Sequence, residues 1–505
     1  MPPKDHSTVD SKRVYRSVAW QGVSNTIVSA LDILGVLLVL RFWISVEEYG
    51  IVSLAMTLCP VLDLAADLGL SSAVIQRDDS DEAKISTVFW MNIAMSLVLS
   101  GVLLVGAPAL ARFQGHPVIG SLLIAYSAKL IVQNLYQVPA AMMKRQLRFD
   151  ELAKIRIAAN AVEFVVKVGL AAAGYSVWCF MLSRLCNIFI HLVGTQLRNP
   201  WRPRLVFRPR EAASHIRFGL KTSASGILFQ FYTNIDYQIV AYFFGARANG
   251  FYRAAYELVL EPVRIISNVV SEVAFPVFSR LRKDRHALIE QFVAFTRQNL
   301  AIVLPFLVLV LLCPEAMIRL FLGGERWVAA APAARILCGV GILRALSFVV
   351  PALLDGMGRP SLTLLYTAVA AVVVPAMFIL AAMFLGAQLS YLSVALAWVL
   401  GYPFAFAVLL FLALRLLGIG ILTYLRRIAG IPLCVGGAFL GGLAARNLST
   451  GIDSILQLAI VAAILLLVLG LLLARFEGIS PRSILRHLQG GKHPPKTDSA
   501  GQLAS

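Results

Sequence analysis

The apolar residues of this sequence fall in blocks long enough to cross a lipid bilayer, and short charged segments separate these blocks. Residues 14–40, 362–384 and 453–474 are examples. A hydrocarbon core of about 30 Å takes roughly 20 helical residues to cross. Only 14% of the 505 residues are charged and 59% are hydrophobic, whereas soluble proteins carry about 25% charged residues. The chain is therefore predicted to be an integral membrane protein.

Dividing the apolar blocks at their polar residues predicts an all-α polytopic membrane protein with about 14 transmembrane helices. The predicted spans are 14–40, 49–75, 85–107, 118–141, 152–173, 177–197, 214–244, 249–276, 291–313, 331–354, 362–384, 389–413, 425–444 and 453–474. Lys and Arg are concentrated in both termini and in the loops after even-numbered spans, which is the bias expected of cytoplasmic loops. Both termini are therefore predicted to lie in the cytoplasm.

The two halves of the chain share a sparse internal repeat. Segments 16–55 and 217–255 have a similar order of an arginine, an aspartate, a glycine and an alanine, namely Arg16, Asp32, Gly50 and Ala55 in the first and Arg217, Asp236, Gly250 and Ala255 in the second. Six predicted spans separate the segments, so the halves would have the same orientation, with the substrate path between them. The predicted organisation is an N-terminal cytoplasmic segment (1–13), an N-terminal six-helix bundle (14–200), a C-terminal six-helix bundle (201–416), two extra transmembrane helices (417–476) and a disordered cytoplasmic tail (477–505).

Charged residues inside the predicted spans are costly unless they face a cavity or a partner. In span 249–276 four of them recur at intervals of four, four and three, namely Arg253, Glu257, Glu261 and Arg264. This spacing places them on one face of a helix. The stripe predicts either a water-lined path or a ladder of structural ion pairs.

Other intramembrane charges have no acidic neighbour at helical spacing. Lys221, Arg184 and Arg344 are of this kind, whereas Glu163 and Lys167 are four residues apart and are predicted to pair with each other. A cation without a carboxylate partner is tolerable when an anionic substrate balances it. A diphosphate group suits this role, since arginine donates in a planar fork and lysine acts as a point charge.

No enzyme motif is found, because the sequence lacks GxxxxGK[ST], GxSxG and HExxH patterns. The six cysteines form no CxxC pair and the seven histidines are scattered. We therefore expect no catalytic residue, no metal site and no cofactor. The net charge of +18 resides mainly in short loops, which fits contacts with anionic lipid headgroups and not with nucleic acid.

The residues around the seventh and eighth spans form the most specific motif of the sequence. Residues 236–256, DYQIVAYFFGARANGFYRAAY, are followed by Pro262 and by FPVFSRL at 275–281. This block resembles the most specific block of the polysaccharide transporter family. DLGL at 67–70 and GYSVW at 174–178 resemble the family as well. The chain is thus similar to Wzx-type and colanic-acid-exporter-like flippases of the multidrug/oligosaccharidyl-lipid/polysaccharide exporter superfamily.

This resemblance implies a flippase for undecaprenyl-diphosphate-linked oligosaccharide repeat units that works by ion-coupled alternating access. It implies a bacterial inner membrane and a role in exopolysaccharide, capsule or O-antigen export. The expected partners are the polyprenyl-diphosphate-linked oligosaccharide, the bilayer, and the polysaccharide polymerase and export machinery. The candidate substrate-binding residues are Lys221, Arg184, Arg253, Arg264 and Arg344. The candidate ion-coupling residues are Asp32, Asp236 and Glu257.

The sequence leaves three other functions open. A multidrug or cation antiporter of the same superfamily would share the fold, but the block at 236–281 favours the polysaccharide branch. A membrane polysaccharide polymerase or ligase would need a sizeable external loop with catalytic residues, and the longest predicted external loop, 314–330, is short. A structural scaffold for a biosynthetic complex would be unaffected by loss of the intramembrane cations.

Overall fold

The computed structural model describes residues 11–71, 74, 81–146, 148–208, 210 and 213–477, with the side chains of residues 11–23, 214–218 and 220–222 outside that description. Over these residues the chain is helical and has no β-strand. The α-helices are α1 (Ser11–Phe42), α2 (Val46–Thr57), α3 (Cys59–Asp67), α4 (Glu82–Gln114), α5 (Pro117–Arg145), α6 (Phe149–Ala172), α7 (Trp178–Arg198), α8 (Ala213–Arg280), α9 (Arg285–Leu312), α10 (Pro314–Ile318), α11 (Ala331–Ser347), α12 (Val349–Gly356), α13 (Pro360–Leu389), α14 (Leu392–Leu417), α15 (Ile421–Ile428), α16 (Gly430–Leu448) and α17 (Ser454–Phe476).

The prediction of an all-α polytopic membrane protein is confirmed. Eleven helical segments of the described chain are long and apolar enough to cross a membrane, and the exact number of spans stays a prediction. Helix α6 is not among the eleven, because charged residues such as Glu163 and Lys167 interrupt its apolar run. The two parts of the 68-residue helix α8 are not among them either. Gly245 divides α8 with a φ of 83° and a ψ of 171°, a conformation that glycine adopts readily.

Local sequence explains where α2 begins. The Ser45 hydroxyl accepts a hydrogen bond from the backbone N–H of Glu48 at 3.2 Å, and the Glu48 carboxylate accepts one from the backbone N–H of Ser45 at 2.8 Å. This capping box satisfies two donors that the first turn of a helix leaves free. Helix α2 therefore starts at a fixed residue, next to the contact between the two halves of the molecule described below.

The helices pack as two groups that meet along α2 and α8. In the N-terminal group (α1–α7), α1 packs on α6, α4 on α5, and α7 on both α5 and α6. In the C-terminal group (α8–α14), α8 packs on α11, α12 and α13, while α14 packs on α11 and α13. Helices α16 and α17 pack on each other, and α16 rests on α9. The predicted boundaries between bundles stay a proposal.

A close backbone contact joins α2 to α8 on the predicted external side. A Cβ atom on Gly50 would overlap the carbonyl group of Ala246, and one on Gly250 would overlap the carbonyl group of Val46. Asn249 Nδ2 donates a hydrogen bond to the carbonyl oxygen of Gly50 at 3.0 Å. Gly50 thus faces Ala246, which is four residues before Gly250, and Gly250 faces Val46, which is four residues before Gly50. This reciprocity is expected of two repeats related by a two-fold axis.

The two groups also touch on the predicted cytoplasmic side. Gly69, after the end of α3, lies so close to α8 that a Cβ atom on it would overlap the carbonyl group of Gly219. Asn25 Nδ2 of α1 lies 3.0 Å from each carboxylate oxygen of Glu272 on α8. The groups therefore meet at both ends, and the space between them lies at the middle of the helices.

Candidate functional site

A polar cavity, here called the central cavity, lies between the two groups. It consists of two adjoining parts of about 300 and 350 Å³. Asp32, Asp63, Lys129, Arg184 and Glu261 line both parts. The N-terminal wall comes from α1, α2, α3, α5, α6 and α7, and the C-terminal wall comes from the part of α8 after Gly245. Charges from both halves of the molecule thus face one space.

Ion pairs between different helices form the N-terminal wall. Lys129 Nζ of α5 lies 2.5 Å from Asp63 Oδ1 of α3, and the Tyr126 hydroxyl donates to the same oxygen at 2.6 Å. The Lys129 side chain is 3% exposed. A buried ammonium group is tolerated only when a carboxylate and further hydrogen bonds compensate it. Lys129 therefore serves mainly to hold α5 against α3.

A second set of pairs runs across α7, α6 and α1. Arg184 Nη1 lies 3.2 Å from Glu163 Oε2. Lys167 Nζ lies 3.6 Å from Glu163 Oε1 and 3.0 Å from Asp32 Oδ1. The predicted pair between Glu163 and Lys167 is thus present, but each member also has a partner on another helix. Arg184 has no acidic partner on its own helix, in agreement with its spacing, but it has one on the next helix, which spacing along one helix cannot reveal.

The C-terminal wall carries its ion pairs within one helix. Arg253 Nη2 lies 2.5 Å from Glu257 Oε1, and Arg264 pairs with Glu261 one turn before it. Glu257 Oε1 also accepts a hydrogen bond of 3.3 Å from the Tyr49 hydroxyl of α2, which links the two groups. The stripe inferred from the spacing of these four residues therefore lines the cavity and forms ion pairs at the same time.

Exposure distinguishes Arg184 and Arg264 from the lysines of the central cavity, and Arg253, which is 26% exposed, lies between these two kinds. The side chains of Arg184 and Arg264 are 43% and 44% exposed, whereas Lys129 and Lys167 are 3% and 4% exposed. A buried, paired lysine is committed to its carboxylates. An arginine that is paired on one side and open on the other keeps donors available to a ligand. Arg184 and Arg264 come from opposite walls, so these two donors face the cavity from both halves.

The predicted site residues do not all meet at this cavity. Arg184, Arg253, Arg264, Asp32 and Glu257 line it. Asp236 and Arg344 lie in the C-terminal group and are not among the lining residues. The side chain of Lys221 lies outside the part of the chain that the structure describes.

Asp236 and Arg344 belong instead to an aromatic cluster of the C-terminal group. Asp236 Oδ2 accepts hydrogen bonds from the Tyr252 hydroxyl at 2.7 Å and from Trp398 Nε1 at 2.9 Å. The Arg344 guanidinium lies 4.5 Å from the centroid of the Trp398 ring. Asp236 therefore contacts the edge of this ring, and Arg344 covers its face, an arrangement stabilised by the ring quadrupole.

Sequence reasoning did not single out Lys129, Arg156 and His191, which also line the central cavity. Lys129 lies inside predicted span 118–141, so the criterion that found the other intramembrane charges applies to it as well. Arg156 and His191 are more difficult to recognise, since both lie near polar residues of the predicted cytoplasmic side. Arg156 donates a hydrogen bond to Asn25, the residue that also binds Glu272.

Comparison with known proteins assigns the family. The sequence profile described as "Polysaccharide biosynthesis protein" matches residues 39–332, which is more than half of the chain. The chain belongs to this family, and the resemblance inferred from the motifs is confirmed.

Relatives and solved structures agree with this assignment. The teichuronic acid biosynthesis protein TuaB of Bacillus subtilis is 30% identical over 294 residues, which is 56% of this chain and 59% of the relative. The succinoglycan biosynthesis transport protein ExoT of Rhizobium meliloti is 28% identical over 70% of this chain and 71% of its own length. The lipopolysaccharide biosynthesis protein WzxC of Escherichia coli is 23% identical over 67% and 69%.

Among solved structures, the lipid II flippase MurJ in an inward closed conformation superposes with a TM-score of 0.73. The match has 15% identity and covers 92% of this chain and 99% of that chain. An inward-facing multidrug resistance MATE family transporter has a TM-score of 0.60 and 17% identity, with 82% and 96% covered. At these identities the likeness concerns the fold alone.

Proposed function

We propose that this chain is a flippase that moves undecaprenyl-diphosphate-linked oligosaccharide repeat units from the cytoplasmic to the external leaflet. The observation that carries this proposal is the pair Arg184 and Arg264, which are open to one cavity from opposite halves of the molecule. The family, and relatives such as the succinoglycan biosynthesis transport protein, support polysaccharide export as the purpose. The fold is that of MurJ.

The chemistry of the two arginines suits a diphosphate. A guanidinium group donates hydrogen bonds in a planar fork that matches phosphate oxygens. Each arginine has a carboxylate partner, Glu163 or Glu261. A diphosphate would compete with these carboxylates, so the arginines stay compensated with and without the substrate. This exchange avoids an isolated charge inside the membrane, which would be costly.

The contacts between the two groups suit alternating access. Opening the cavity outward requires α2 and α8 to separate at Gly50 and Gly250, where their backbones touch. Opening it toward the cytoplasm requires Asn25 to leave Glu272. Both contacts cross the boundary between the halves, so motion of one group against the other would exchange them.

Coupling to an ion gradient remains part of this proposal. Asp32 and Glu257 line the cavity, and each carboxylate is bound to a cation of the site, Lys167 or Arg253. A proton or a sodium ion on either carboxylate would release its cation and change the charge of the cavity. Asp236 is a weaker candidate, because it is enclosed by aromatic side chains of the C-terminal group. Lys221 stays a candidate cation on the basis of its sequence position alone.

The expected setting is a bacterial inner membrane with both termini in the cytoplasm. The polysaccharide polymerase and the export machinery are the proposed protein partners downstream of the flippase.

A multidrug or cation antiporter would share the fold. The exposed guanidinium groups favour an anionic substrate over a cationic one, because like charges repel in a low-dielectric cavity.

The experiment is a flipping assay with the purified full-length protein in proteoliposomes that contain the lipid-linked oligosaccharide of the host. Arg184→Gln and Arg264→Gln should each slow flipping by about 10- to 100-fold, since one charge-assisted contact contributes about 1.5–3 kcal/mol. Arg198→Gln is the matched control, because Arg198 ends the same helix as Arg184 and its side chain is 62% exposed. Unchanged flipping by a well-folded Arg184→Gln/Arg264→Gln double variant would contradict the proposal.

A further inference from the structure

A second cavity lies inside the C-terminal group. It has a volume of about 350 Å³ and is lined by α8, α11, α12, α13 and α14. Its polar side chains include Ser225, Thr233, Arg344, Tyr366 and Tyr402. We call it the tyrosine pocket. Among the side chains that the structure describes, Arg344 is its one charged lining residue, and this feature distinguishes it from the central cavity, whose walls carry many acids and bases.

Arg344 is a buried cation with an unused donor. The residue is 5% exposed, and its Nη1 donates to the Tyr256 hydroxyl at 2.5 Å. Its Nη2 has no hydrogen-bond partner among the described residues. No ion pair of Arg344 is found in that part of the chain, and Asp236 is already bound by Tyr252 and Trp398. A buried donor without an acceptor is costly, so an anionic acceptor brought within reach of Arg344 Nη2 would stabilise this guanidinium group.

A chain of hydroxyl groups continues from Arg344 along the pocket. The Tyr402 hydroxyl lies 2.7 Å from Ser347 Oγ and 3.3 Å from the Tyr366 hydroxyl. The Tyr366 hydroxyl in turn lies 3.1 Å from the Tyr232 hydroxyl. Hydroxyl groups both donate and accept, and tyrosine rings add flat apolar surface. Sugars present the same combination of hydroxyl groups and apolar C–H faces, so this lining suits a sugar ring.

The tyrosine pocket lies next to the central cavity along α8. The stripe that begins at Arg253 and includes Arg264 lines the central cavity. Asn268 and Ser271 continue this stripe at helical spacing, and both line the tyrosine pocket. Residues three or four apart lie on one helix face. A substrate held by Arg264 could therefore extend along α8 into the pocket.

We propose that the tyrosine pocket binds a carboxylated sugar of the lipid-linked oligosaccharide, with the carboxylate on Arg344. This proposal rests on the flippase function proposed above and adds a substrate class, namely acidic oligosaccharides. The diphosphate is assigned to the central cavity, because the exposed arginines Arg184 and Arg264 face it there from opposite walls. A single guanidinium among tyrosine hydroxyls suits one carboxylate on a sugar ring.

The test measures binding by titration calorimetry on the full-length protein in detergent. Cellobiouronate is the acidic probe, and cellobiose is its neutral counterpart. Cellobiouronate should bind at least about tenfold more tightly than cellobiose, and Arg344→Gln should remove that difference. Arg335→Gln is the matched control, since Arg335 lies on the same helix outside the pocket and pairs with Glu315 at 2.7 Å. Tyr366→Phe should weaken the binding of both sugars and serves if Arg344→Gln fails to fold.

The outcomes separate this proposal from the flippase function. Equal binding of the two sugars, or binding that Arg344→Gln leaves unchanged, would overturn the pocket assignment. Displacement of cellobiouronate by inorganic diphosphate from the Arg184→Gln/Arg264→Gln double variant would also overturn it, because the pocket would then be a general anion site. Slow flipping by that double variant would support the diphosphate site in the central cavity, whatever the sugar-binding results are.

Discussion

The two halves of the molecule accommodate buried charge differently. In the N-terminal group, cations and carboxylates on different helices pair directly, as Lys129 does with Asp63. In the C-terminal group, Asp236 and Arg344 are surrounded by tyrosine and tryptophan side chains. Ion pairs hold helices together through charge, whereas the aromatic cluster does so through hydrogen bonds and ring contacts. The C-terminal group therefore has an aromatic pocket in addition to the ion-paired stripe of α8 that lines the central cavity.

The largest effect is expected where a charge would be left unpaired in the N-terminal group. Asp63→Asn should lower the free energy of unfolding by about 3–5 kcal/mol, because Lys129 would keep a buried charge without its carboxylate. Unfolding by sodium dodecyl sulfate in mixed micelles measures this change. Asp63→Asn/Lys129→Gln should recover most of the loss. A single variant as stable as the wild type would show that the pair contributes no charge compensation.

The next effect concerns the contact where the halves meet. Gly250→Ala should destabilise the externally closed state by up to about 3 kcal/mol, since its Cβ atom would overlap a backbone carbonyl group. Labelling of Cys59, which lines the central cavity, by a membrane-impermeant maleimide added from outside should then increase. Gly101→Ala is the control, because a Cβ atom there meets no atom within 4 Å. Gly50→Ala should behave like Gly250→Ala if the contact is reciprocal.

A smaller effect is expected for the equivalent acid-to-amide change in the C-terminal group. Asp236→Asn keeps an acceptor for Tyr252 or Trp398 but loses part of the network, so it should lower the free energy of unfolding by about 1.5 kcal/mol. The same detergent titration measures it beside Asp63→Asn. A loss as large as that of Asp63→Asn would remove the contrast drawn between the halves and indicate that Asp236 acts mainly through its charge.

Much of the fold could be predicted from the sequence, because a membrane imposes long apolar helices on it. The stripe from Arg253 to Arg264 was also predictable, since helical spacing places it on one face. Partners on different helices were not predictable in this way. The pairing of Arg184 with Glu163 and the reciprocal contact of Gly50 and Gly250 both depend on how helices pack. The position of Arg344 among tyrosines also depends on how helices pack. It places Arg344 outside the central cavity, unlike Arg184, Arg253 and Arg264.

The central claim is translocation between leaflets, and depletion of the protein in its host tests it most directly. Lipid-linked oligosaccharide is quantified with a membrane-impermeant label on intact and on broken spheroplasts. The flippase function predicts that oligosaccharide accumulates in a form that the label reaches only after breakage. Normal labelling of intact spheroplasts, with unpolymerised units building up outside, would contradict it and assign the protein to polymerisation or a later step.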